Sequence, residues 1–295
     1  MKITLLLENN SLFGKYLNAE HGFSAWVEDE DVKVLYDFGF SDKFIHNAEA
    51  LGIDLCTADY VILSHGHRDH SWGLKHLLRY YDERAMARKP IFIYSTEDLF
   101  CKKFNFIKSR AAGIDVDREI LDRYFRVCPS SDPMWLTKNL CFMGAVEPSN
   151  DFERKVPQVQ KKFKNGEWMP DLVDEDSQLA YRHENGRDVS IVAGCGHYGV
   201  CNIMEYAKKI TGAKHIHTYV GGSHLRIDEV PQSQVDKTCD YIRAQDLRQF
   251  YICHDTDLHC KLALWQVVEP LEVGTGLVVE DIRYALPGSI WTAHF

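Results

Sequence analysis

No stretch of the 295-residue chain approaches the ~20 consecutive apolar residues that a membrane helix needs. A membrane-spanning protein is therefore excluded. The sequence also has no Pro/Gly-rich linker, internal repeat or low-complexity tract, which removes any obvious seam and sets aside collagen, coiled-coil and disordered classes. Positive charge is in deficit. Lys+Arg of 34 against Asp+Glu of 43 gives −9, a balance unsuited to coating nucleic acid or an anionic membrane. The nine cysteines are odd in number and lack paired spacing, which fits a reduced, cytoplasmic thiol set better than a disulfide framework. The opening MKITLLLENN carries one Lys and turns polar at once, so it reads as a first strand rather than a signal peptide.

What is present is ordinary globular composition, 45% hydrophobic and 26% charged, in a chain long enough to bury a full core. Histidine stands out, with 14 residues. Imidazole is the commonest metal ligand and the usual acid–base group near neutral pH, so the placement of these residues matters.

Periodicity predicts strands at 2–7, 24–28, 32–38, 59–63 and 90–94, with helices at 41–51, capped by Ser41, and at 74–81. The interval 100–170 is charged and less regular. It reads as a surface insertion with a helix at 117–126, either a flap over substrate or a solvated excursion. After 175, Asn185-Gly186 marks a hairpin between 178–183 and 188–192. A helix follows at 200–211, closed by Gly212, with strands at 216–220 and 250–253 and strand-like pieces at 271–279 and 283–286. Strands alternating with helices in both halves point to a layered α/β, αββα architecture.

Four of these strands end alike, in Ser64-His65, Cys195-Gly196-His197, Ser223-His224 and His254-Asp255. Loops at one sheet edge gather ligand sites in α/β proteins, so several imidazoles converge if these ends share an edge. A single His after a strand is ordinarily a satisfied loop residue; His46 and His76 instead lie on helix patterns, and His183 borders the hairpin turn. The dense run His65-Gly66-His67-Arg68-Asp69-His70 reads differently. His65 and His67 can point to one metal, while Asp69 and His70 serve a second about 3.5–4 Å away. Zinc suits imidazole and carboxylate donors, and iron and manganese accept similar sets.

The run from Ser64 to His70 resembles the HxHxDH signature of the metallo-β-lactamase superfamily. Leu35-Tyr36-Asp37-Phe38-Gly39 resembles its early strand motif, whose Asp orients a ligand His. Glu20-His21-Gly22-Phe23-Ser24, Gly194-Cys195-Gly196-His197-Tyr198-Gly199, Gly221-Gly222-Ser223-His224-Leu225 and His254-Asp255-Thr256 are similar to one branch. That branch comprises the 7,8-dihydropterin-6-yl-methyl-4-(β-D-ribofuranosyl)aminobenzene-5'-phosphate synthase-like hydrolases. The similarity spans 1–75 and 175–280. It implies a four-layer αββα sandwich forming one domain over 1–295, with 100–170 inserted near the active site.

The resemblance also implies one or two divalent metals, zinc first, on His65, His67, Asp69, His70, His197 and His254. Cys195 stands where many relatives keep a bridging Asp, and reads equally as a thiolate ligand or a buried small residue. The superfamily's intermediate His has no well-placed counterpart, so His197 or His224 takes its coordination. Asp257 replaces a Gly of the branch and alters the turn after the last strand. A metal lowers the pKa of bound water, and Asp69 can hold or accept its proton. His224, if not a ligand, donates a proton to the leaving group or contacts a substrate anion, and His21 lines the pocket.

The resulting expectation is a cytoplasmic metal-dependent hydrolase acting on a small anionic metabolite, of phosphoester or pterin type by resemblance. No nucleic-acid or membrane partner is expected, and the oligomeric state stays open. Two alternatives remain: a non-catalytic metal-binding or sensor protein, and a di-iron redox protein. His67, where redox relatives favour Glu, counts against the last.

Overall fold

Apolar residues in a short run bury a strand on both faces. β1 (Lys2–Leu7) illustrates this, being buried from its second residue onward. In the computed structural model, which describes residues 1–153, 159–162, 166–245 and 247–280, β1 sits near one edge of a seven-stranded sheet. It pairs antiparallel with β2 (Ser24–Asp29), which turns through Glu30 in the left-handed region (φ 54°) into β3 (Val32–Tyr36). β4 (Tyr60–Ile62), β5 (Ile91–Tyr94) and β8 (Arg126–Pro129) continue in parallel from β3, and β17 (Val278–Glu280) closes the other edge.

A second sheet runs in the order β16 (Gln249–Ile252), β15 (His215–Gly221), β14 (Asp188–Ala193), β13 (Leu179–Arg182), β10 (Leu140–Phe142) and β9 (Met134–Trp135). Its strands β14, β15 and β16 are mutually parallel. Between the sheets lies a core drawn from both, including Leu5, Val27, Tyr36 and Ile62 on one side and Phe142, Leu179, Val192 and Val220 on the other. α1 (Lys43–Ala50), α3 (Leu74–Glu83) and α4 (Arg118–Tyr124) cover the outer face of the first sheet. α5 (Val200–Thr211), α6 (Gln232–Ala244) and α7 (Leu258–Leu264) cover that of the second. The architecture is a four-layer αββα sandwich. No helix among the described residues is long and apolar enough to cross a membrane.

Several boundaries depart from the periodicity. The first helix starts at Lys43, with Asp42 before it; the Ser41 hydroxyl donates to Glu20 at 2.8 Å and accepts the Lys43 amide only at 3.4 Å. Of the stretch 271–279 only its end joins a strand, and 283–286 lies outside the described residues. The interval 100–170 divides. α4, β8, β9 and β10 take places in the main layers, whereas β6 (Lys102–Asn105), β7 (Arg110–Ala111), β11 (Gln160–Lys162) and β12 (Trp168–Pro170) form a separate four-stranded sheet.

The parallel strands of both main sheets deliver their C-terminal loops to one edge. Tyr36 ties the two together there, donating to the Ser177 carbonyl at 2.7 Å and accepting from the Gly194 amide at 3.1 Å.

Candidate metal centre

Asp37 follows β3 with a positive φ of 59°, which turns its carboxylate into the interior. It accepts the Ser64 amide and hydroxyl, each at 2.7 Å, and faces His70 Nδ1 at 2.6 Å. The four-residue helix α2 (Arg68–Ser71) carries His70 into this position. Because the one Ser64 hydroxyl proton goes to Asp37, its oxygen accepts from His65 Nδ1 at 2.9 Å. His254, just past β16, places Nδ1 2.9 Å from Asn9 Oδ1, which also accepts the Gly22 amide.

These partners assign the tautomers. In neutral His65, His70 and His254 the proton sits on Nδ1, leaving Nε2 as a bare lone pair. His70 Nε2 lies 3.0 Å from His254 Nε2, and His65 Nε2 lies 3.2 Å from His197 Nε2. The facing lone pairs of His70 and His254 repel at that separation unless a shared cation lies between them. Cys195 Sγ, 3.0 Å from His70 Nε2, and Asp69 Oδ2, 3.7 Å from His254 Nε2, add donors suited to a divalent ion rather than a lone proton.

Donor atoms fall into overlapping groups, each within 4.8 Å: His65, His67 and His197; Asp69, His70 and His254; His65, His70 and Cys195; and Cys195, His254 and Asp255. Thus the seven residues predicted as metal ligands come together. Burial, with His70 adding to it, pushes His254 down to about 3, and burial lowers His65 well below its ordinary value. Both are therefore neutral, the ligating form. For His70 burial acts the same way, but Asp37 outweighs it and raises the pKa. Burial opposes the charge on Asp69, yet the His21 hydrogen bond and the neighbouring His70 and His254 hold it well below the carboxylate range. Burial, and then Asp255, pushes the Cys195 thiol well up.

His21 reaches Asp69 Oδ2 through Nε2 at 2.9 Å. His224 belongs to none of the donor groups. It adopts φ 48°, packs against His197 with the rings tilted by 39° and centroids 4.1 Å apart, and faces Asp255 Oδ2 at 3.4 Å and Glu229 Oε2 at 3.6 Å. Two glycines make room. A Cβ on Gly194 would stand 2.8 Å from Ser64 Oγ and 2.9 Å from Asp37 Oδ2, and one on Gly222 would stand 2.4 Å from the His254 carbonyl oxygen. Asp257 caps α7, accepting the Cys260 amide at 2.8 Å, and also takes the Ile227 amide at 2.6 Å, so the turn here is pinned by a side chain.

Sequence reasoning missed four charged neighbours. Asp255, held down to about 2 by His224 and His254 against the effect of burial, could have been found as the residue after His254. Asp176 accepts the His197 amide at 2.8 Å, and Asp171 lies 3.5 Å from His67 Nε2 and 2.8 Å from Lys103 Nζ. Asp176, Asp171 and Lys103 sit in no motif, and only folding brings them to the site.

The family model of the metallo-beta-lactamase superfamily matches residues 17–144. A crystal structure of a metal-dependent hydrolase of the beta-lactamase superfamily superimposes with a TM-score of 0.76 at 25% identity, covering 95% of this chain and 99% of its own. Residues 17–144 thus match that superfamily, and the chain as a whole has the corresponding fold. Human tRNase Z, short form, shares the fold alone, with a TM-score of 0.51 at 10% identity over 95% of this chain and 99% of its own. Among curated relatives, an uncharacterized protein of Methanocaldococcus jannaschii is 28% identical over 256 residues, 86% of this chain and 89% of its own. The 7,8-dihydropterin-6-methyl-4-(beta-D-ribofuranosyl)-aminobenzene-5'-phosphate synthase of the same organism is 27% identical over 236 residues, 76% of this chain and 78% of its own.

Proposed function

We propose that this chain is a metal-dependent hydrolase of a small anionic metabolite, with a phosphoester as the favoured substrate class. One observation carries the reading: the bare Nε2 lone pairs of His70 and His254 face each other at 3.0 Å beside a thiol and a carboxylate. His65, His67 and His197 would hold one divalent ion, with Asp69, His70 and His254 holding a second and Cys195 and Asp255 beside them. Zinc fits these donors best, and iron or manganese would fit the same imidazoles. Bound divalent ions supply Lewis acidity and acidify coordinated water.

The protein's own groups do the rest. Asp69, ionised and hydrogen-bonded to His21 at 2.9 Å, accepts the proton of the attacking water. His224 sits between two carboxylates at the pocket wall and returns a proton to the leaving group. Asp37 keeps the His70 ring in its ligating orientation. All nine cysteines are free, which supports a reducing, cytoplasmic setting.

Elemental analysis of purified protein, with turnover of bis(p-nitrophenyl) phosphate by wild type and Asp69→Asn, tests the proposal. Stoichiometric transition metal and a loss of about a hundredfold or more in Asp69→Asn are expected. Metal-free protein, or undiminished activity in the variant, overturns it. A second reading, group transfer to an acceptor other than water, is favoured by the relative named as a synthase. It gains ground if the metal loads but no ester is hydrolysed without an added acceptor.

A further inference from the structure

The pocket over the metal centre has a basic wall that the proposed chemistry does not use. Arg68, Lys108 and Arg110 line the same cavity as His67, Asp69 and His197. Arg68 is the variable residue inside His67-Arg68-Asp69, whereas Lys108 and Arg110 come from the β6–β7 hairpin of the third sheet. Among the described residues, none of the three forms an ion pair with a carboxylate.

Arg68 is held by other means. Its guanidinium lies 5.4 Å from the centre of the Phe40 ring and 5.8 Å from that of Trp72, and the two rings are 5.0 Å apart. Aromatic faces fix a cation in place without cancelling its charge. The Arg68 amide donates to the Ala112 carbonyl at 2.9 Å, which ties α2 to the end of β7 and brings Arg110 near. Asn105 accepts the Lys108 amide at 2.9 Å and pairs with Arg110 in the ladder, which shapes the hairpin that carries both cations.

Like charges gathered on one wall, with the cavity's carboxylates Asp69, Glu153, Asp171, Glu229 and Asp255 out of ion-pair contact with them, cost free energy that an anion removes. We propose that Arg68, Lys108 and Arg110 form a subsite for the phosphoryl group of the substrate, separate from the metal ligands. Guanidinium forks match the oxygens of a phosphate dianion. Three cations suit a dianion better than a single carboxylate. This rests on the hydrolase reading for the reacting end of the substrate and adds the recognition of a second, anionic end.

Titration calorimetry of the full-length, metal-loaded protein with phenylphosphonate, which has no ester to cleave, and with inorganic phosphate tests the subsite. Saturable phenylphosphonate binding is expected, tighter than that of inorganic phosphate. Arg110→Ala, an exposed position on the hairpin, should weaken it by about fivefold or more, and Lys108→Ala/Arg110→Ala further, with metal content unchanged. No saturable binding, or a smaller change in Arg110→Ala, overturns the subsite. Inorganic phosphate binding as tightly as the phosphonate overturns its assignment to a substrate group. Failure of the hydrolase reading is distinguishable, since it leaves phosphonate binding intact and removes ester turnover.

Discussion

Asp37 Oδ2 receives the Nδ1 proton of His70 at 2.6 Å while also accepting the Ser64 hydroxyl at 2.7 Å. One buried carboxylate therefore sets the tautomer of one imidazole directly and, through Ser64, of His65 as well.

Replacing Asp37 with Asn should lower metal affinity about 10–100-fold. Asn tolerates the left-handed backbone found here (φ 59°), so the change tests the hydrogen bond rather than the turn. Competition against a chromophoric chelator measures it, and an unchanged affinity would refute the orienting role.

Gly222→Ala should destabilise the fold by about 1–3 kcal/mol. Its Cβ would meet three backbone carbonyl oxygens, those of His254 at 2.4 Å, Gly194 at 2.6 Å and Cys195 at 2.8 Å. Backbone cannot swing aside as a side chain does. A melting temperature equal to that of wild type would count against this.

Much of the fold was legible because it is local. The helix Val200–Thr211 ends at Gly212 in the left-handed conformation (φ 72°), as the pattern implied. The turn at Gly186 likewise has φ 65°. The candidate metal cluster was readable since five of its seven predicted donors lie in loops after strands and the other two, Asp69 and His70, in the short helix that follows the first of these loops. α6 was not, because Thr238 and Cys239 weaken its apolar face and only Val235 and Ile242 signal it. The third sheet escaped notice for another reason. Its strands are rich in Lys, and Lys102–Phe104 pairs with residues 160–162 across a long sequence gap. The Lys103–Asp171–His67 contacts follow from that pairing and carry no local trace.

Glu153 packs against Gly199 and accepts the amides of Cys201 at 2.9 Å and Asn202 at 2.8 Å, the first turn of α5. Glu153→Ala leaves these donors unpaired, so a loss of about 1–2 kcal/mol is expected in urea unfolding. Glu153→Gln, which keeps an acceptor, should lose less. Equal losses would discredit the capping role.

Acid should destabilise the protein partly through His183, remote from the metal centre. Burial lowers its pKa from 6.5 to about 4, and Ser190 Oγ lies 2.8 Å from Nε2. The unfolded state thus takes up the proton more readily. Stability contributed by the neutral ring is complete above pH 6.5 and falls as pH drops towards 4. His183→Gln should flatten the melting temperature between pH 6.5 and 4, and a profile parallel to wild type would argue otherwise.

Chelation should lower the melting temperature in a concentration-dependent way, since an ion at 100 times its Kd adds about 2.7 kcal/mol to the folded state. Scanning calorimetry with and without chelator measures this, and superimposable traces would contradict a bound metal.

The facing imidazoles of His70 and His254 come from opposite halves of the chain, 184 residues apart. An ion gripped by both would act as a clasp on a very long loop whose chain-entropy cost is already met on folding. Release of the ion then precedes separation of the two halves. Resistance to proteolysis would then follow metal residence time.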